Sequence, residues 1–131
     1  MFTRKNSEVN ALSQKEDQWA QLLLEVVDEG LLILGESARK SIYFHLQSTY
    51  SLAREDIPNK PDVFAEGLRK IFGAGAKVIE ESIVKILYSK LEIEYEERKN
   101  TCFVDYLNDA RKSRFVSSHP SSSYKEQDDA T

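Results

Sequence analysis

Residues 76–91 read Ala-Lys-Val-Ile-Glu-Glu-Ser-Ile-Val-Lys-Ile-Leu-Tyr-Ser-Lys-Leu. Ala76, Ile79, Ile83, Ile86, Leu87 and Leu91 recur at steps of three and four, which puts their side chains on one face of an α-helix. Val78, Val84 and Tyr88 widen that stripe. A stripe so broad meets more than one neighbour, so this helix, expected to begin near Ala74 or Gly75, is predicted to be central. No stretch of the chain sustains the period-two alternation of a half-buried strand. The expected fold class is therefore all-α.

Working towards the N-terminus, the spacing of Phe64, Leu68, Ile71 and Phe72 predicts a helix over residues 60–72 that stops at Gly73. Pro61 suits its first turn, where a missing N–H does no harm, and Asn59 is the expected N-cap. Residues 51–59 form a break, and Pro58 biases Ile57 towards extended backbone. Ala38, Ile42, Leu46 and Tyr50, with Tyr43 beside them, predict a helix over Glu36–Tyr50. Gly35 is the corner before it. Another helix is expected from Gln14, carrying Trp19, Leu22, Leu23, Val26, Val27, Leu31 and Leu34. Ser13 would cap it in a box with Glu16. Gly30 weakens its second half by about 1 kcal/mol relative to alanine.

Towards the C-terminus, the central helix is expected to carry on through the charged residues 92–99, with Glu94 and Arg98 paired at i,i+4. A short fifth helix restarts at Asn100 or Thr101, with Cys102, Phe103, Tyr106, Leu107 and Ala110 on its apolar side. The expected organisation is a flexible segment 1–13, one compact domain of about five helices over 14–115, and a Ser-rich disordered tail 116–131. The helices would form a bundle or an orthogonal array.

Composition narrows the class. The chain has 131 residues, 40% apolar and 31% charged, enough for one core and too apolar for a wholly disordered chain. A net charge of −4, spread almost evenly, argues against a dedicated nucleic-acid binder. One cysteine, Cys102, cannot form an internal disulfide, which suggests an intracellular chain. No apolar run suits a secretory signal, and Glu25, Asp28 and Glu29 interrupt the apolar stretch 22–34, so no membrane span is expected. The expectation is a soluble cytoplasmic protein.

Candidate chemistry is sparse. Gly73-Ala74-Gly75 ahead of a helix could cradle a phosphate, but it lacks the third glycine and the preceding strand of a dinucleotide fingerprint. A helix stop and a close helix approach explain it better. Gly35, Pro58, Gly73 and Gly75 are accordingly read as structural. His45, His119 and Cys102 lack metal-ligand spacing. His45 reads as a boundary residue and Cys102 as a small buried hydrophobe. No catalytic residue, cofactor or metal is expected. Arg39, Lys40, Arg69 and Lys70 form a basic cluster that either contacts phosphates or is a solvated face. Val84, Tyr88 and Tyr95 are expected at the flank of the central helix, where a second copy could cover them in a homodimer.

One resemblance adds to this reading. The stretch Leu34-Gly35-Glu36-Ser37-Ala38-Arg39-Lys40-Ser41-Ile42-Tyr43-Phe44-His45-Leu46, then Ile57-Pro58, Phe64, Leu68, and Ile71-Phe72-Gly73-Ala74-Gly75-Ala76-Lys77-Val78-Ile79-Glu80, resembles an archaeal family, the Nitrosopumilus-type output domain, fifth of its series. The likeness covers residues 24–91. It implies an all-helical module of signal transduction that works through an unidentified protein partner, and it supplies no catalytic residue. The expected function is thus a non-enzymatic interaction module. The alternatives are a regulatory nucleic-acid-binding protein and a helical domain that senses a small molecule.

Overall fold

The computed structural model describes the backbone of residues 2–116 and the side chains of residues 16–113. The described residues form five helices: α1 (Phe2–Leu32), α2 (Glu36–Tyr50), α3 (Pro61–Phe72), α4 (Ala76–Lys90) and α5 (Phe103–Val116). Short 3₁₀ segments, Arg54–Asn59 and Gly73–Gly75, precede α3 and α4. No strand occurs among the described residues, and the fold is all-α.

The α1 helix starts at Phe2, not at Gln14, so Ser13 lies inside it and does not cap it. Residues 2–29 contain no glycine or proline, and nothing local stops the helix in the segment expected to be loose. The expected tail at 116–131 begins on the last residue of α5 and otherwise lies outside the described residues.

The core is one cluster. Trp19, Leu23, Val26, Val27 and Leu31 from α1 meet Phe64 and Leu68 of α3, Ile83, Val84 and Leu87 of α4, and Phe103 and Leu107 of α5. The most extensive packing joins α1 to α4. There Gly30 is buried, and a Cβ added to it would lie 2.5 Å from Ile83 Cγ1. Gly67 plays the same part between α2 and α3, where an added Cβ would collide with Leu46 Cδ2. The weak point read at Gly30 is thus the place where two backbones approach.

Turns follow the glycines in part. Gly35, at φ 107°, swings the chain from α1 into α2, and Gly73, at φ 60°, ends α3. Gly75 has φ −67°, which any residue adopts. Ile57 is not extended. It sits within the 3₁₀ segment and is 1% exposed, because the tight turn drives its side chain into the core. Pro58 fits, since its fixed φ is compatible with 3₁₀ backbone. Lys60, not Asn59, is the N-cap of α3, and Pro61 occupies the first turn.

The helix expected through residues 92–99 is absent. Glu92 turns left-handed at φ 59°, and the Ile93 N–H returns to the Tyr88 carbonyl at 2.9 Å. A charged run gains little from extending a helix into solvent. Leaving the helix lets Tyr95 lie against Tyr88 and Tyr106, with ring centroids 5.8 and 5.6 Å away. Arg98 then pairs with Asp109 of α5 at 2.7 Å instead of with Glu94.

Candidate functional site

Among the described residues, two places gather polar chemistry. The first is a cleft of about 870 Å³ between the N-terminal half of α4, the segment after it and the first turn of α5. Its volume falls in the range of small-molecule sites. Val84, Phe103 and Tyr106 supply apolar surface, and Tyr95 lies on the same side. Arg69, Lys77, Arg98 and Lys99 bring positive charge, and Glu80, Glu81 and Glu97 bring negative charge. With both signs on its walls, the cleft suits a ligand of mixed polarity better than a polyanion.

Glu80 is poorly solvated there, its side chain 13% exposed. Its Oε2 is buried without a hydrogen-bond donor, and Arg69 approaches it at 3.5 Å. Burial pushes its carboxyl above the usual range, while the charges of Arg69 and Lys77 pull the other way. Burial, with the neighbouring Tyr106, pushes the Tyr95 hydroxyl up to about 12. Tyr106 is held from both sides: its hydroxyl accepts the Arg98 N–H at 2.7 Å, and its carbonyl accepts the Tyr88 hydroxyl at 2.9 Å.

Cys102 lines this cleft and is exposed, not buried as its residue type suggested. It precedes the first residue of α5, where its N–H donates to Asp105 at 3.2 Å, and Phe103 takes the core position instead. Asp105 is held below its ordinary value chiefly by that backbone bond.

The second place is a junction around Asp28. Arg54 donates to both of its oxygens, at 3.1 and 2.5 Å, and Tyr43 donates its hydroxyl to Oδ1. Arg39 stands 3.7 Å away. Burial opposes the charge of Asp28, but the hydrogen bonds from Arg54 and Tyr43 and the two guanidinium charges outweigh it and hold the carboxyl below its ordinary range. Burial and then the bond to Asp28 raise Tyr43. This junction ties α1, α2 and the first 3₁₀ segment together, and Arg39 Nε is buried beside it without an acceptor.

The residues singled out from sequence distribute as follows. Arg39 is partly buried and turns to Asp28 and to Glu36, whose oxygen it reaches at 2.8 Å. Arg69 turns to Glu80 on α4, while Lys40 and Lys70 are exposed. The two arginines are thus engaged by carboxylates on different helices. Val84 and Tyr88, expected on a free flank, are 2% and 6% exposed, because α5 of the same chain covers that side of α4. Tyr95 is half-buried. Val84 and Tyr88 are thus covered from within the chain, whereas Val78, expected to widen the apolar stripe of α4, is 66% exposed.

Sequence reasoning passed over the exposed apolar side chains. Leu32, Ile33 and Leu34 are 46%, 68% and 41% exposed at the α1–α2 corner, and Phe44 on α2 is 73% exposed. The spacing of Leu34 from Leu31 and Val27 predicts it on the buried stripe. The signal against that was Gly35 one residue later, since a helix that stops there cannot keep Leu34 in register.

Among the described residues no three metal-binding side chains gather, and no helix is long and apolar enough to cross a membrane. Comparison of the chain with protein-family models, with curated proteins and with solved structures finds no match in any of the three.

Proposed function

We propose that this chain is a non-enzymatic helical interaction module that presents the α1–α2 corner to a protein partner. The carrying observation is the run Leu32-Ile33-Leu34, three consecutive large apolar residues left in solvent. Single exposed apolar side chains are ordinary, but a consecutive exposed run is a fault in a domain unless something covers it. The corner is stiffly mounted, because the Asp28 junction fixes α2 against α1 just beside it. A rigid apolar knob loses little entropy on binding. The archaeal signalling role rests on the resemblance of residues 24–91 and on nothing in the geometry.

The test is a paired capture from the source cytoplasm with wild-type chain, with Ile33→Glu, and with Lys85→Glu on an unrelated face. A protein retained by wild type and by Lys85→Glu, and lost with Ile33→Glu, supports the reading. A partner set indifferent to Ile33→Glu sinks it. Small-molecule sensing is the second reading, and the cleft favours it. It requires a ligand that raises the unfolding midpoint, with the rise lost on substitution of Glu80 or Arg69. Of the basic residues considered for nucleic acid, both arginines are already paired within the chain.

A further inference from the structure

Residues 93–99 cross the cleft without any regular structure. The segment is bounded at each end by a non-glycine residue in the left-handed region, Glu92 at φ 59° and Asn100 at φ 58°. That conformation is unfavourable for a residue with a Cβ, less so for asparagine. It persists only where neighbouring contacts impose it. None of the residues between the two is fully buried.

Glu92 is fixed by the end of α4 itself, where the Ile93 N–H bonds the Tyr88 carbonyl at 2.9 Å, and Ile93 and Tyr95 rest on the edge of the core; beyond them the segment is held by contacts near the surface. Arg98 pairs with Asp109 at 2.7 Å, both side chains nearly half exposed. The Arg98 guanidinium lies 4.9 Å from the centre of the Tyr106 ring. The Arg98 backbone N–H donates to the Tyr106 hydroxyl at 2.7 Å. Tyr95 rests edge-on to Tyr88, with Lys85 Nζ 5.7 Å over its ring. Beneath the segment, Val84, Phe103 and Tyr106 belong to the helical core and do not depend on it for their helices.

We infer that residues 93–99 are a hinged strap, swinging about Glu92 and Asn100, which opens the cleft while the five helices stay packed. Closed, the strap supplies the cleft wall formed by Tyr95, Glu97, Arg98 and Lys99. Open, it uncovers the ring of Tyr106. The clasp is Arg98, which holds α5 through an ion pair, a ring face and a backbone bond. Ionic strength weakens the exposed part of that clasp, so salt shifts the strap towards the open state.

Amide hydrogen exchange of the full chain, followed by NMR over a urea series, tests this directly. The Arg98 amide reports the strap and the Leu87 amide reports α4. Arg98 should exchange ahead of Leu87 and with little dependence on urea, the mark of a local opening. Asp109→Ala should speed the Arg98 amide by up to about fivefold, the range of an exposed ion pair, and leave Leu87 unchanged. If the Arg98 amide follows Leu87 across the urea series, the strap is released only by global unfolding and the inference fails. It fails equally if Asp109→Ala leaves the Arg98 amide unchanged or speeds both amides alike.

Discussion

Gly30→Ala pits helix propensity against packing, and the structure decides the sign. Alanine is favoured over glycine in a helix interior by up to about 1 kcal/mol. The added Cβ, however, lies 2.5 Å from Ile83 Cγ1, about 1–1.5 Å inside the usual carbon–carbon separation of about 3.5–4.0 Å. Ile83 cannot step aside easily. It is fully buried, and a β-branched side chain in a helix has one strongly preferred χ1. The cost therefore sits near the upper end of the ~1–3 kcal/mol seen for overpacking, for a net loss of about 2 kcal/mol. That corresponds to a fall of about 7 °C in the unfolding midpoint at this chain length. Urea or thermal unfolding measures it. The decisive arm is the double-mutant cycle with Ile83→Ala, which removes the colliding atom. In that background Gly30→Ala should be neutral or stabilising, a coupling of about 2–3 kcal/mol. A Gly30→Ala chain that melts higher than wild type, or that loses the same stability in both backgrounds, would refute the close approach of α1 and α4.

Three further outcomes are expected. Gly73→Ala should cost about 1 kcal/mol or more because of its positive φ, whereas Gly75→Ala should be neutral or slightly stabilising; equal effects in calorimetry would contradict the two backbone conformations. Asp28 is depressed in the folded state, so its contribution is present above the unfolded carboxyl range near 3.9 and is lost as pH falls through the lower folded value. Asp28→Asn should lower neutral-pH stability and flatten the acid limb of the stability–pH curve, and an unchanged limb would show that the junction carries no charge-dependent stability. Cys102, being exposed, should react with a thiol reagent in the native state as fast as in urea; a strongly protected thiol would place it in the core after all.

Helices α2, α3 and α4 were legible because each presents an apolar stripe with a clear stop beside it. The segment after α4 misled because its Glu94–Arg98 spacing imitates helical support. There a local preference worth a few tenths of a kcal/mol lost to the packing of Tyr95 against two other tyrosines. Asp28 was read as an interruption of an apolar run. An acid on a buried stripe is better read as a demand for donors, which Tyr43, Arg54 and Arg39 supply from elsewhere in the chain. Gly30 and Gly67 were invisible as contact points, since close approach depends on which helices pair, not on local pattern. The cleft could not be seen for the same reason. Its walls come from the end of α3, from α4, from residues 95–102 and from α5, and only the packing of those helices brings them together.

The dominance of the α1–α4 contact also says how the chain must fold. Gly30 and Ile83 lie about 50 residues apart in sequence, so the principal helix pair can close only after a long loop has given up its freedom. The short-range pairs, α1 with α2 and α3 with α4, can form earlier but each packs less extensively. Folding should therefore be slower than in an up-and-down bundle whose main contacts join neighbours. Substitutions at the α1–α4 seam should slow folding, while those at the α1–α2 corner should leave its rate alone; the kinetics of Gly30→Ala and Ile33→Glu chains would separate the two.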